Sequence, residues 1–251
     1  MGANARRVLP LVLGTILFAG FVALGVWQLQ RLAWKLDLIA RVDARVHAAA
    51  APAPGPADWP AISARRDEYR HVQVRGTFDN AHETLVQAVT ELGPGYWVIT
   101  PLTTAQGESV LVNRGFVPAD QAAQASRRAG LIEGPATVTG LLRMSEPHGG
   151  FLRANQPAAG RWFSRDVAAI ARADGLSRAA PYFIDADATP NAGGWPRGGM
   201  TVIRFHNSHL VYAMTWFALA AMVALWGAWP AIAARRARRG WRADLTSPMA
   251  Q

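Results

Sequence analysis

Apolar positions follow three rhythms along the chain. From Val8 to Leu29 and from Leu210 to Ala234 they run for 22 and 25 residues without a charged side chain. At 1.5 Å rise per residue, each run is long enough to cross a hydrocarbon core about 30 Å thick, so each predicts a transmembrane helix. Between Arg31 and Ala50 the rhythm changes, with Leu32, Leu36, Ile39, Val42 and Val46 recurring every three or four positions. That spacing predicts an amphipathic continuation of the first span. The segment AAAAPAPGPADWP at 48–60 breaks it and reads as a linker.

From Tyr69 the rhythm shortens to runs of four to ten residues enriched in Val, Ile, Thr and aromatics, with Gly, Pro or Asp between them. These predict strands over Tyr69–Phe78, Glu83–Val89, Tyr96–Leu102, Ser109–Val117, Thr137–Arg143, Arg161–Ser164, Tyr182–Asp185 and Met200–Phe205. Short helices are expected over Asp120–Arg128, capped after Pro118, and over Ser164–Ala173, which opens with a Ser and carries Asp166 in its first turn. The fold class is therefore an α+β membrane protein: two transmembrane helices flanking an antiparallel, β-rich domain, either barrel-like or an open sheet, with short helices. The expected layout is a tail at 1–7, a span at 8–30, the extension and linker at 31–60, the β domain at 61–208, a second span at 209–234 and a basic tail at 235–251.

Charge orients this layout. Of the 26 basic residues, Arg6 and Arg7 precede the first span, and Arg235, Arg236, Arg238, Arg239 and Arg242 follow the second, whereas Asp244 is the one acid outside the central segment. The net +9 is thus concentrated at the helix ends and the middle is near neutral. Basic residues beside a span hold that end in the cytoplasm, so both termini are expected inside and the β domain outside. The same distribution reads the high pI as a topology signal and argues against nucleic acid as a partner. A cleaved signal peptide also opens with two arginines and an apolar stretch. The first run outlasts a signal core, however, and Trp27, Arg31, Trp34 and Lys35 follow it as an interfacial anchor would. Cysteine is absent, which removes disulfides, thiol exchange and thiolate metal ligation.

Chemistry is sparse. There is no GxSxG elbow, HExxH pair, GxxxxGK loop or GxGxxG turn, so an enzyme is not expected. His82-Glu83 and Asp185/Asp187 are the nearest acid–base candidates, and both read as solvated turn residues. A periplasmic enzyme would need a pocket joining His71, His82, Glu83 or His148. His206 and His209 lie three apart at the outer mouth of the second span and would share a helix face. An interfacial histidine there can ligate haem iron or a metal, or equally bond to lipid headgroups or cap the helix. Trp27, Arg31, Trp34 and Lys35 leave the membrane at the surface where His209, Tyr212 and Trp216 enter it. Two such aromatic helix ends could clasp a flat apolar ring, with the cations meeting its carboxylates, although Trp and Tyr belts form without any ligand. Gly76 and Gly115 suit backbone geometry at strand ends, and Asn113-Arg114 reads either as a structural hydrogen-bond network or as a partner surface.

GVWQLQRLAWK at 25–35, RGTFD at 75–79, VLVNRGFVP at 110–118 and HLVYAMTWF at 209–217 occur in an order and spacing that resemble the surfeit locus protein 1 family over nearly the whole chain. The resemblance implies a cytochrome c oxidase assembly factor of the bacterial inner membrane, with a periplasmic β-rich domain. It acts where haem a enters the catalytic subunit, which is the implied partner beside membrane lipid, with haem a synthase as a further candidate. It also implies haem a ligation through the histidine heading the second span, here His209. Tyr212 and Trp216 would line the ring, and Trp27, Trp34, Arg31 and Lys35 would close its other side. His206 does not match the motif. A cofactor-free scaffold that braces an oxidase subunit through its spans is the alternative reading.

Overall fold

A computed structural model describes residues 3–147, 149, 150, 152–203 and 205–244. They fall into two compact units, one made of residues up to Ile39 together with those from Arg204 onward, the other of Ala40–Ile203.

The first unit holds α1 (Ala3–Val46) up to Ile39 and α4 (His209–Asp244). Both include stretches, Leu9–Val46 and His209–Pro230, long and apolar enough to cross a membrane. The helices pack antiparallel along a seam. Gly14 faces Trp226, the Phe21 ring stacks on Trp216 with centroids 5.8 Å apart, and the Gly25 backbone lies against Phe217. A Cβ at position 25 would sit 2.6 Å from the Phe217 ring, so glycine is what allows this closeness. On α4, His209, Ala213, Trp216, Ala220 and Val223 are buried or half-buried at alternating intervals of four and three, with Phe217 and Trp226 beside them against α1. That is the a/d spacing of left-handed helix packing.

The second unit is a closed β structure. Its strands are β1 (Ala51–Pro52), β2 (His71–Phe78), β3 (Thr84–Thr90), β4 (Gly93–Thr103), β5 (Ser109–Pro118), β6 (Pro135–Met144) and β7 (Ala179–Ala186). They lie in the order β1-β2-β6-β7-β5-β4-β3, and β2 also pairs with β4. The ring β2-β6-β7-β5-β4 therefore closes on itself, with β1 and β3 attached outside it, which settles barrel-like over open sheet. The sheet is mixed rather than antiparallel, because β5–β7 and β1–β2 are parallel pairs. β5 and β7 are separated in sequence by β6 and a long crossover, and only such a connection permits a parallel pair.

Two apolar layers hold it. Val72, Leu102, Val110, Val112, Leu142, Tyr182 and Ile184 fill the barrel interior. Leu111, Phe183, Val86 and Ile99 face the other way and meet Val167 and Ile170 of α3 (Val167–Ala173). β5 is buried on both faces, which explains why Ser109–Val117 reads as a continuous rather than alternating run.

Several expected elements differ. The 48–60 segment is not free chain: β1 pairs with β2, the Tyr182 hydroxyl and the Trp59 indole both donate to the Pro54 carbonyl, and Trp59 packs on the interior core. Arg161–Ser164 forms isolated bridges at Arg161 and Trp162 instead of a strand, and the described part of 200–205 forms none. Asp120–Arg128 covers parts of two 3₁₀ segments, Ala119–Gln121 and Gln124–Gly130, rather than a helix; they are separated where Ala123 is extended, and the second is itself kinked at Arg127. Asp166 is the cap of α3 rather than a first-turn residue, its carboxylate accepting from the Ala169 amide, so the helix starts three residues later than its sequence suggests. Tyr69, with φ of 63°, lies before β2. A short helix, α2 (Ala64–Asp67), precedes it. Gly76 lies within β2 rather than at a strand end. Gly115 adopts φ of 128°, and a Cβ there would sit 2.1 Å from the Arg197 carbonyl oxygen, so no other residue fits.

Candidate functional site at the head of the paired helices

His209 opens α4, and its Nδ1 lies 2.7 Å from Oε1 of Gln28 on α1. Gln28 is buried and is one of two clearly polar side chains in the apolar 8–29 run. With the glutamine oxygen as acceptor, the ring proton would sit on Nδ1, and Nε2 has no hydrogen-bond partner among the described residues. This is the arrangement that metal-binding histidines adopt, in which an oxygen acceptor fixes the tautomer, aims the ring and raises its basicity. A single imidazole is the protein ligand count of a porphyrin site, since the ring itself brings four nitrogens to the iron. The donor chemistry is compatible with a porphyrin, for which His209 would be the residue to hold the iron and Gln28 the residue behind it.

On α1, Phe21, Gly25, Gln28, Leu32 and Lys35 occupy one face at steps of four and three, and all are buried or half-buried. Lys35 reaches over the Phe205 ring with its Nζ 5.4 Å from the centroid. Of the expected site residues, His209, Trp216 and Lys35 belong to this seam. Trp27, Arg31 and Trp34 share a second, exposed face of α1, where the Arg31 guanidinium stacks 4.7 Å over Trp34. Tyr212 is exposed on α4, one turn beyond His209. His206 is exposed. Gln28 is the residue that sequence reasoning missed; the available signal was a buried-type polar side chain within an otherwise apolar face.

The acid–base candidates of the β unit do not converge. His71 Nδ1 contacts the Ala48 carbonyl, His82 pairs with Asp79, and Glu83 forms a bidentate pair with buried Arg127. His148 lies outside the described residues. Asp185 is not a solvated turn residue as its sequence position suggests. It is 3% exposed and accepts from Asn113, Arg143, Arg165 and Thr201 at 2.7–3.0 Å. Arg143 continues to Glu68, and Arg165 to Glu146. Asn113 is therefore part of a structural network.

A closed β barrel inserted between two long apolar helices, with one imidazole at the head of the helix seam, defines a class of helix-anchored, β-domain proteins. The SURF1 family model matches residues 15–221, a stretch that contains both Gln28 and His209. The chain is 38% identical over 221 residues to Surfeit locus protein 1 of Homo sapiens, covering 81% of this chain and 71% of that protein. It is also 38% identical over 219 residues to a SURF1-like protein of Monosiga brevicollis, covering 81% of this chain and 80% of that one. The chain belongs to the SURF1 family.

Proposed function

We propose that the protein is a non-enzymatic assembly factor for cytochrome c oxidase that holds haem a at His209 and aids its delivery to the catalytic subunit. In this reading α1 and α4 span a bacterial inner membrane, the basic tails face the cytoplasm and the β unit faces the periplasm, with haem a synthase as a candidate donor. Family membership supports the assembly role, and the arginines beyond each span support the orientation. The observation that carries the haem assignment is the His209–Gln28 hydrogen bond, which leaves Nε2 free at the mouth of the seam. Haem iron would supply the coordination. The protein's part is to fix the imidazole and to offer Lys35 as a cation for a propionate.

The same bond favours a second reading. An interhelical hydrogen bond in an apolar setting contributes about 1 kcal/mol to helix association, so His209 could act as helix glue in a cofactor-free scaffold that braces an oxidase subunit. Visible absorption of the full chain, purified in detergent from cells able to make haem a, separates the two. Haem in the parent, none in His209→Ala, and occupancy lowered about ten-fold in Gln28→Leu is the expected result, because losing a ligand's hydrogen-bond partner costs 10–100-fold in affinity. A colourless parent, or haem undiminished in His209→Ala, would discard haem binding at this site. Weakened association with the oxidase subunit in both variants would then favour the scaffold.

A further inference from the structure

The two outer strands of the sheet end it in different ways. β1 is two residues long and finishes in proline, which deters a further strand. β3 is seven residues, TLVQAVT, with neither a charge nor a proline. The segment around Trp162 covers part of its outer edge, where the Gln87 amide donates to the Trp162 carbonyl. Backbone groups face the edge at every second residue, so Val89 also turns its N–H and C=O outward, and no backbone group among the described residues meets them.

The side chains around this open stretch are exposed as well. Val89 is 84% exposed, and Leu152, held at φ of 56° in the turn from Gly150 to Arg153, is 88% exposed. No described large apolar side chain of α1 or α4 is as exposed as these two. Val89, Gly150 and Arg153 line one groove of about 500 Å³, whose walls include Tyr96 and Phe163 and no acid among the described residues. The Arg153 guanidinium lies 5.5 Å over the Phe163 ring, and its Nη1 donates to Oε1 of Gln87 at 3.3 Å. Its other nitrogens have no partner among the described residues, and the side chain is exposed.

We propose that the open edge of β3 and the groove beside it dock an extended segment of a partner protein, one that carries an acidic residue among β-branched or aromatic ones. The edge offers main-chain hydrogen bonds, the groove receives alternate side chains, and Arg153 meets the acid. A second copy of this chain would bring an uncharged β3 and another Arg153, so it supplies no acid at this point. A small ligand would fill the groove and leave the edge unpaired. The site lies in the β unit and involves no haem, so its test stands apart from that of His209.

The experiment is a display selection of random linear peptides of about ten residues, long enough to run the length of β3, on the full chain in detergent. Selected peptides should alternate β-branched or aromatic residues with polar ones and include Asp or Glu. Their affinities are then read by fluorescence anisotropy. Val89→Pro, which removes an outward N–H and leaves the pairing with β4 intact, should weaken binding about ten-fold. Arg153→Glu should weaken it by more than about ten-fold, and Arg161→Glu, an exposed arginine outside the groove, by less than about two-fold. Arg153→Glu changes an exposed loop side chain and decides the matter should Val89→Pro not fold. No enrichment over detergent alone, selection of basic peptides, or binding undiminished in Arg153→Glu or in folded Val89→Pro would overturn the proposal. A dimer of the parent that Val89→Pro dissolves would assign the edge to a second copy and overturn it too.

Discussion

Asp185 holds together what its absence would set in conflict. Two arginines, Arg143 and Arg165, converge on its two oxygens from β6 and from the segment before α3, and both are largely buried. Removing Asp185 leaves one guanidinium nitrogen of each arginine, the Asn113 amide and the Thr201 hydroxyl without an acceptor in a largely buried site, with Glu68 and Glu146 as the remaining carboxylates on the two arginines. Asp185→Ala should therefore lower the stability of the β unit by about 3–5 kcal/mol, read as a shift in the denaturant midpoint followed by circular dichroism. Asp67 is a milder case with a pH signature. Burial raises its pKa, but the Ser63 amide, Arg70 and Arg66 outweigh this and hold it below the ordinary 3.8. A carboxylate whose folded-state pKa is depressed adds stability that is present above pH 3.8 and lost as pH falls from there through the folded value. Acid titration of the unfolding midpoint should show this loss in the parent, and Asp67→Asn should flatten the profile below that pH. Neither aspartate was legible in the sequence. Asp185 meets Asn113 from 72 positions away and Arg143 from 42, and a carboxylate after an apolar run looks the same whether it faces water or a buried cation.

At the scale of elements, the seam between α1 and α4 depends on the absence of a side chain at position 25. Gly25→Val would drive Cβ and its methyl groups into Phe217, separating the helices where Phe21 meets Trp216 and, one turn on, where Gln28 meets His209. If His209 holds haem as proposed, the expected outcome is loss of haem from detergent-purified protein, with partial recovery in Gly25→Val/Phe217→Ala, where the ring makes room; visible absorption of the two variants checks it. The two long apolar helices were legible because their signal is local: a run of apolar residues of that length is read directly from the sequence. The central strands β4, β5 and β7 were legible for a similar reason, since burial on two faces leaves short runs dense in aliphatic and aromatic residues, VIT in β4, VLV in β5 and YFI in β7. What escaped was structure set by distant partners. β1 exists because Ala51 and Pro52 meet Val72 and Gln73, and the 3₁₀ segments around Arg127 follow from where its guanidinium must reach Glu83. His209 was visible as a residue at a span mouth, but Gln28 was not, because one glutamine in an apolar run names no partner.

For the molecule as a whole, the candidate site is assembled from opposite ends of the chain. Gln28 and His209 are 181 residues apart, and the entire β barrel is encoded between them. At a synthesis rate of 5–20 residues per second, the first helix waits about 10–35 s for its partner. The pairing of imidazole and amide thus doubles as a completeness signal: a nascent or truncated chain that has made its first helix, or even its whole barrel, still cannot present the oriented histidine. On the proposed haem reading, cofactor capture by this route would be confined to chains whose translation has passed the head of α4.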